Sequence, residues 1–147
     1  EVKAVLNHRP EEKKLTGGVI EFLRAADLLV MAPSNPYLSL GPMLSHPELA
    51  GVLQELSIPK LAVSPLIGGK AVKGPLDRLI GSLSARSGQS AIAHYWSSWV
   101  DGLLLPTDEI VDLDDMKLKL FGGPTMLKSK SDRQAFCAAL ESAWESF

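Results

Sequence analysis

The sequence contains a single cysteine, Cys137, so no disulfide can form within the chain. Disulfide frameworks are typical of oxidising compartments, and their absence favours a reducing one. We therefore expect a cytoplasmic protein. Because Cys137 lies within an amphipathic helical pattern, we predict that it is a small core residue and not a catalytic thiol.

Two further absences exclude broad classes of partner. Lys and Arg number 15 against 17 Asp and Glu, a formal net charge of -2. The chain thus lacks the basic field that holds a phosphate polymer, and we expect no nucleic-acid partner. No apolar run approaches the roughly 18 residues of a membrane helix, and the opening EVKAVLNH lacks the basic start and apolar core expected of a signal peptide. We therefore expect no membrane partner either.

Several common site motifs are also missing. Neither GxxxxGK[ST] nor GxGxxG occurs, and no Ser, His and Asp are spaced as a catalytic triad would require. His8, His46 and His94 lie far apart, so zinc is not expected. An acidic segment could hold Mg²⁺, but a solvated loop is the interpretation we favour. Its residues are Asp108, Glu109, Asp112, Asp114 and Asp115.

What is present is an alternation of strand and helix patterns. The predicted strands are Val2–Leu6, Leu28–Met31, Lys60–Ser64, Val100–Leu105 and Met116–Leu120. The predicted helices are Thr16–Ala26, one opened by Pro47, one opened by Pro75, Gly88–Ser98 and Ser131–Phe147. Apolar runs without alternation are typical of strands buried on both faces. Residues 1–147 are thus predicted to form one α/β domain, a three-layer Rossmann-like fold with a mainly parallel sheet and helices on both faces.

Details of three helical segments are also predicted. In the helix Thr16–Ala26, Val19, Phe22, Leu23 and Ala26 form the apolar stripe. Ser131 and Gln134 have the spacing of a capping box at the start of the last helix. One face of that helix is predicted to comprise Phe136, Leu140, Trp144 and Phe147. The Ser-rich stretch GSLSARSGQS, residues 81–90, is predicted to be a surface loop.

The loop after the second predicted strand is unusual. The stretch LLVMAPSNPYLSLGP, residues 28–42, ends an apolar run in small polar residues. Ligands of open parallel sheets bind outside the carboxyl ends of the strands. Ser34, Asn35 and Ser39 offer hydroxyl and amide groups there, while Pro33 and Pro36 restrict the backbone that presents them. We therefore predict that this loop contacts a ligand.

The loop after the third predicted strand, PLIGGKAVKG (residues 65–74), has the elements of a phosphate site. Gly68 and Gly69 permit close approach of backbone N–H groups to a ligand, and Lys70 and Lys73 supply positive charge. Gly74 precedes a helix whose first N–H groups favour an anion. Turn geometry alone can also explain such residues in both loops, and that interpretation stays open.

The aromatic cluster HYWSSW contains Tyr95, Trp96 and Trp99. A helix that packs its aromatic side on the sheet explains it, and this is the interpretation we favour. The alternative is a stacking surface for a flat ring.

At its two loops the sequence resembles the 2-phospho-L-lactate transferase family of deazaflavin coenzyme F-420 biosynthesis. The family patterns APSNP-x-x-S-[IL]-x-P and SP-[IL]-[IV]-x-G-x-A-x-KGP appear here as APSNPYLSLGPML and SPLIGGKAVKGPLDRLI. Further matches are AADLLVMAPSNP, IAHYW, VDGLLL and PTMLKSKSDRQAF, so the resemblance runs essentially from Glu1 to Phe147. Two long motifs in the same order make it specific.

The resemblance implies a transferase that moves a 2-phospholactyl or phosphoenolpyruvyl group from a guanosine diphosphate-linked donor to a deazaflavin, releasing GMP. It implies that Ser34 and Asn35 contact the donor phosphates or the polar edge of the acceptor. It also implies that Gly68, Gly69, Lys73 and the helix start at Gly74 hold the diphosphate, and it allows a homodimer.

The chain departs from the family in two ways. Family members are about twice as long, and their N-terminal half, which has acidic metal-binding positions, has no counterpart here. We therefore expect the C-terminal part of a longer transferase, with its Mg²⁺ site outside this chain. Pro106 also stands where members usually have an Asp, although Asp108 matches the second acidic position. We accordingly assign no catalytic residue.

Two other functions remain open. One is a nucleotide-sugar-binding regulator of the gluconeogenesis-factor type, whose first loop reads more like GPGSLYTS and which is not expected to have the KGP helix start. Both features favour the transferase. The other is a non-catalytic module that folds and dimerises without binding deazaflavin or GDP.

Overall fold

The computed structural model describes residues 2–6, 14–112 and 116–147. The strands in these ranges are β1 (Leu29–Met31), β2 (Lys60–Val63), β3 (Leu66–Ile67), β4 (Lys70–Ala71), β5 (Gly102–Leu105) and β6 (Lys119–Gly122). The helices are α1 (Val19–Arg24), α2 (Gly41–Leu44), α3 (Pro47–Glu55), α4 (Leu76–Leu83), α5 (Gly88–Trp96) and α6 (Lys130–Glu145). None of these helices combines the length and the apolar character that a membrane span requires.

Four strands form one sheet in the order β1-β2-β5-β6. All three pairings are parallel, which confirms the predicted α/β class with a mainly parallel sheet. In parallel strands side chains alternate between the two faces, and both faces here are covered. In β2, Leu61 and Val63 belong to one buried cluster and Ala62 to the other.

The larger buried cluster lies between the sheet and helices α2 to α5. Leu49 and Leu53 of α3, Leu76 and Ile80 of α4, and Trp96 of α5 belong to it. Burying a large apolar side chain fully contributes about 1.5–3 kcal/mol, so this face supplies much of the stability. As the packing interpretation predicted, Trp96 lies in the core and is only 1% exposed.

Helix α6 covers the opposite face of the sheet. Its Ala143 is buried, and Phe136, Ala139 and Leu140 pack beside it. The predicted face was therefore partly wrong, because Trp144 remains 47% exposed. The prediction that Cys137 is a core residue was also wrong: it is exposed on α6, because it lies outside the packed face formed by Phe136, Ala139, Leu140 and Ala143.

Three details of the helical segments differ from the sequence prediction. The capping box at the start of α6 is formed by Ser129 and Asp132, whose side chains bind each other's backbone N–H groups, and not by Ser131 and Gln134. In α1 the predicted stripe is wrong at Phe22, which is 77% exposed. The stretch 81–90 is not one loop, because its ends belong to α4 and α5.

Strand predictions also need correction. Val2–Leu6 forms no strand; Leu6 is 89% exposed, so the segment has no buried face to stabilise pairing. The last strand lies later than predicted, at Lys119–Gly122, where it pairs with β5. The predicted loop 65–74 contains a short antiparallel hairpin, β3–β4.

Candidate functional site

The predicted site loops follow neighbouring strands at one edge of the sheet. Because β1, β2 and β5 are parallel, their carboxyl ends lie at the same edge. The segment after β1 contains Ser34, Asn35 and Ser39; the segment after β2 contains Gly68 to Gly74; and the segment after β5 contains a 3₁₀ turn, Thr107–Glu109. This is the edge at which open parallel sheets bind ligands.

Asn35 starts a single π-helical turn, Pro36–Leu40. Its Oδ1 accepts hydrogen bonds from the N–H groups of Tyr37 (3.0 Å) and Leu38 (3.1 Å). Because this oxygen already accepts two hydrogen bonds, the side-chain NH₂ is the group that can donate to a ligand. Ser34 is half-buried beside Asn35, and Ser39 is exposed on the turn.

Tyr95 of α5 holds this first loop through a hydrogen bond and a ring contact. Its hydroxyl donates to the Pro36 carbonyl at 2.7 Å, and its ring meets that of Tyr37 edge to face with centroids 5.1 Å apart. Burial raises the pKa of Tyr95 to about 12, with a smaller contribution from Tyr37. The hydroxyl therefore stays protonated at neutral pH and donates this hydrogen bond. Gly41 is required here, since a Cβ would lie 2.7 Å from the Pro36 oxygen.

A groove of about 410 Å³ lies beside these two tyrosines. Both polar and aromatic side chains border it, which would suit a flat polar ring. Its lining residues are Tyr37, Leu83, Ser84, Ala85, Arg86, Ala91, His94 and Tyr95.

The hairpin β3–β4 turns at Gly68 and Gly69. Their φ angles are 62° and 69°, the left-handed values that a two-residue type I′ turn needs and that glycine adopts without strain. The turn directs two backbone N–H groups at Glu109, whose Oε1 accepts from Gly68 at 2.6 Å and whose Oε2 accepts from Gly69 at 3.0 Å. The two glycines therefore bind a carboxylate through their backbone.

Gln89 supplies a third donor to the same carboxylate. Its Nε2 lies 2.8 Å from Glu109 Oε2. We call the N–H groups of Gly68, Gly69 and the Gln89 side chain the oxyanion cradle. Partial burial alone would raise the pKa of Glu109, but the hydrogen bonds from Gln89, Gly68 and Gly69 outweigh it and lower that pKa.

Buried groups hold the cradle in place. Gln89 is only 4% exposed and Ser64 only 1%. The Ser64 hydroxyl donates to Gln89 Oε1 at 2.6 Å and accepts from the Leu66 N–H at 3.1 Å. Since Oε1 is engaged inside the protein, the Gln89 NH₂ must point outward, toward Glu109.

Lys70, Lys73 and Gly74 are exposed at the same loop. Gly74 has φ 84° and leads into α4. Asp77 in the first turn of α4 accepts a hydrogen bond from the Ala71 N–H at 2.7 Å, which ties the hairpin to the helix. The structure thus brings Gly68 and Gly69 of the second loop into contact with Glu109. The hydrogen bonds to Asn35 Oδ1 come from Tyr37 and Leu38, within the first loop.

Sequence reasoning missed Ser64, Gln89 and Glu109 as site residues. Glu109 was assigned to a solvated acidic loop, of which Asp114 and Asp115 lie outside the described residues. Gln89 could have been found: it precedes Ile92, Ala93 and Trp96 by helical spacing, so it falls on the buried face of α5. A polar side chain in that position needs a partner.

The described residues offer no dedicated metal centre. Within residues 2–6, 14–112 and 116–147, no three His, Cys, Asp or Glu side chains are grouped as a metal site. His46 accepts a hydrogen bond from the Leu49 N–H at the start of α3, whereas His8 lies outside the described residues.

Comparison with known proteins agrees with the resemblance seen in the two loops. A phosphoenolpyruvate transferase of Streptomyces griseus is 33% identical over 108 residues, which cover 73% of this chain and 34% of that protein. A second, from Streptomyces coelicolor, is 33% identical over 113 residues, covering 76% and 34%. A 2-phospho-L-lactate transferase of Methanococcus maripaludis is 30% identical over 120 residues, covering 82% and 38%.

These relatives are much longer than the matched region, and the chain spans about a third of the length of each (34–38%). The family model described as 2-phospho-L-lactate transferase CofD matches residues 1–121, which include both loops and the oxyanion cradle. The chain therefore belongs to the 2-phospho-L-lactate transferase CofD family.

Proposed function

We propose that this chain carries part of the active site of a transferase of coenzyme F-420 biosynthesis. The enzyme would transfer a 2-phospholactyl or phosphoenolpyruvyl group from a guanosine diphosphate-linked donor to 7,8-didemethyl-8-hydroxy-5-deazariboflavin. The names of its relatives support both three-carbon acids. The single cysteine supports a cytoplasmic setting for the reaction.

One observation carries the proposal. Two motif loops follow adjacent parallel strands at one edge, and three N–H donors there converge on a single oxyanion, the carboxylate of Glu109. Donors arranged in this way suit the oxygens of a diphosphate.

The chemistry requires neutralised charge and a positioned nucleophile. An acceptor hydroxyl attacks the phosphorus that bears the three-carbon acid and gives up its proton. The bond from that phosphorus to the bridging oxygen breaks, and GMP leaves with that oxygen. Such reactions depend on positioning and electrostatic stabilisation more than on covalent catalysis.

Each loop has a proposed task. Gly68, Gly69 and Gly74 would offer backbone N–H groups to the diphosphate, and Lys73 would offset its negative charge. Ser34, Ser39 and the NH₂ of Asn35 would contact the donor phosphates or the polar edge of the acceptor. The groove beside Tyr37 and Tyr95 is a candidate surface for the acceptor ring.

Mg²⁺ is proposed to bind outside this chain. The described residues present no group of three or more side chains suited to it, so none of the steps above is assigned to a metal. When bound, the ion would neutralise charge on the diphosphate.

Binding measurements test the proposal. The chain is titrated with GDP by calorimetry and with the deazaflavin by fluorescence. Lys73→Ala should weaken GDP binding about tenfold or more, because a hydrogen bond to a charged group contributes about 1.5–3 kcal/mol, and should leave deazaflavin binding unchanged. Lys128→Ala, another exposed lysine, is the control. If the chain binds neither compound, or Lys73→Ala binds GDP as well as the parent chain, the proposal is wrong.

A further inference from the structure

We propose that Glu109 is an intramolecular placeholder in the oxyanion cradle, and that a phosphoryl group of the donor displaces it on binding. The cradle would then be the diphosphate subsite, and Glu109 would set its affinity. The identity of the anion rests on the proposed function; the displacement itself does not.

The hairpin turn itself fixes the donor geometry of the cradle. The turn at Gly68 and Gly69 fixes two adjacent N–H groups that bind the two oxygens of one carboxylate, at 2.6 and 3.0 Å. Two oxygens on one central atom are also what a phosphoryl group presents. Backbone donors at glycines impose no side chain between themselves and the anion.

The third donor shows that the arrangement is more than a turn. Gln89 is 4% exposed, yet its NH₂ points to the cradle, because Ser64 holds its other end at 2.6 Å. A buried amide directed in this way provides a fixed dipole at the anion position, with little reorganisation needed on binding.

The occupant is positioned to leave. Glu109 is half-buried at the end of a 3₁₀ turn after β5 whose other residues are exposed. Its hydrogen bonds to the two glycines lie at the surface, and the one to Gln89 is part-buried. Its displacement frees the two glycine N–H groups and the Gln89 amide, which the incoming anion would then bind. Lys70 and Lys73 are exposed in the same loop and favour an incoming anion of higher charge than a carboxylate.

The consequence is a measurable competition. If Glu109 must leave, an anion binds with reduced apparent affinity, because only the population with an open cradle accepts it. Removing the carboxylate should then tighten binding. If Glu109 instead serves to hold the hairpin in shape, its removal should weaken binding.

The experiment uses inorganic pyrophosphate with three variants of the chain. Glu109→Ala and Glu109→Asp are compared with Glu141→Ala, which removes the same charge from an exposed position on α6. Glu109→Asp keeps the local charge but shortens the side chain by one methylene, so we expect its carboxylate to be drawn back from the cradle. Affinity is measured by calorimetry, and ¹⁵N–¹H spectra follow the amide signals of Gly68, Gly69 and Gln89.

We expect about tenfold tighter binding for both Glu109 variants, an unchanged affinity for Glu141→Ala, and shifts at the three cradle signals. Equal or weaker binding by Glu109→Ala, with a native circular-dichroism spectrum, would overturn the proposal. So would tightening in Glu109→Ala and Glu141→Ala alike, which would indicate net charge alone. Failure of the transferase proposal would appear differently, as pyrophosphate binding at the cradle without GDP or deazaflavin binding.

Discussion

The buried hydrogen bond between Ser64 and Gln89 offers a quantitative test of how the site is supported. We consider Gln89→Leu, which preserves side-chain size and suits the apolar surroundings of α5. The substitution removes the acceptor that lies 2.6 Å from the Ser64 hydroxyl. It also removes the NH₂ group that donates to Glu109 Oε2 at 2.8 Å and, in a longer contact of 3.4 Å, to the Leu66 carbonyl.

The expected loss of stability follows from burial. Ser64 is 1% exposed, so water cannot replace the lost partner without opening the core. Leaving a buried polar group unsatisfied costs about 1–3 kcal/mol. The lost donor to Glu109 adds less, because this half-buried carboxylate keeps its two glycine donors and can bind water, and the longer contact adds little. We therefore expect the free energy of unfolding to fall by about 2 kcal/mol. For a domain of this size the melting temperature should fall by about 4–8 °C.

A double-mutant cycle isolates the interaction. Ser64→Ala leaves Gln89 Oε1 without its donor, whereas Ser64→Ala combined with Gln89→Leu removes both groups. The sum of the stability losses in the two single variants should therefore exceed the stability loss in the double variant by about 1 kcal/mol or more. Urea denaturation followed by tryptophan fluorescence gives the four stabilities. Additivity within about 0.5 kcal/mol would refute the reasoning.

Three further predictions follow from the site and its loops. Gly41→Ala should destabilise the protein by about 1–3 kcal/mol, because its Cβ would lie 2.7 Å from the Pro36 oxygen. Gly51→Ala, in helix α3 with open space around the added Cβ, should stabilise it by about 0.5–1 kcal/mol; urea midpoints that shift in the same direction for both variants would contradict this. Tyr95→Phe removes the hydrogen bond to Pro36 and should lower the free energy of unfolding by about 1 kcal/mol. Burial raises the pKa of Tyr95 to about 12, so spectrophotometric titration of the parent chain should show one tyrosine ionising near that pH. The stability linked to this raised pKa should be complete below the ordinary pKa of 10.0 and lost as the pH rises toward 12. The hydrogen bonds that Glu109 accepts in the cradle lower its pKa, so the stability that they provide should be complete above its ordinary pKa of 4.5 and lost as the pH falls below it. The protection factors of the Gly68 and Gly69 amides, which correct for the pH dependence of intrinsic exchange, should fall on acidification in the parent chain but not in Glu109→Gln.

The parts of the fold that the sequence predicted are those governed by continuous burial. Strands β2 and β5 are short apolar runs whose burial on both faces explains why they do not alternate. Strand β1 is also an apolar run, but it lies at the edge of the sheet and its Val30 is 37% exposed. Pro47 predicted the start of α3 because its fixed φ suits the first helical turn. The shared edge of the two loops then follows because the strands that precede them are parallel.

Other features depend on tertiary contacts that no local pattern reveals. The spacing of Ser131 and Gln134 predicted a capping box at the start of the last helix. In the structure the helix begins at Lys130, and Ser129 and Asp132 form the capping box. Cys137 is exposed because α6 packs through Phe136, Ala139, Leu140 and Ala143. Helical spacing alone left more than one face available.

The link from Glu109 to Gly68 and Gly69 spans about 40 residues, so neither residue type predicts the other. Sequence reasoning placed the glycines in a ligand loop and the glutamate in a solvated one. Both were assigned from local composition. The hydrogen bonds between them arise only because β2 and β5 are neighbours in the sheet.

Turn geometry and anion binding were set out as alternatives for Gly68 and Gly69, and the structure shows why the two are compatible. The positive φ angles that close the β3–β4 turn are the same ones that bring both N–H groups to one side. A turn of this kind at the surface needs nothing more, because water can accept its hydrogen bonds. Gln89 is the residue that a turn does not require: it keeps a polar amide 4% exposed on an otherwise apolar helix face, at a desolvation cost that its partners must offset. Because Ser64 holds the other end of this amide, its NH₂ group lies 2.8 Å from the carboxylate of Glu109, and a donor in that position suits an oxyanion.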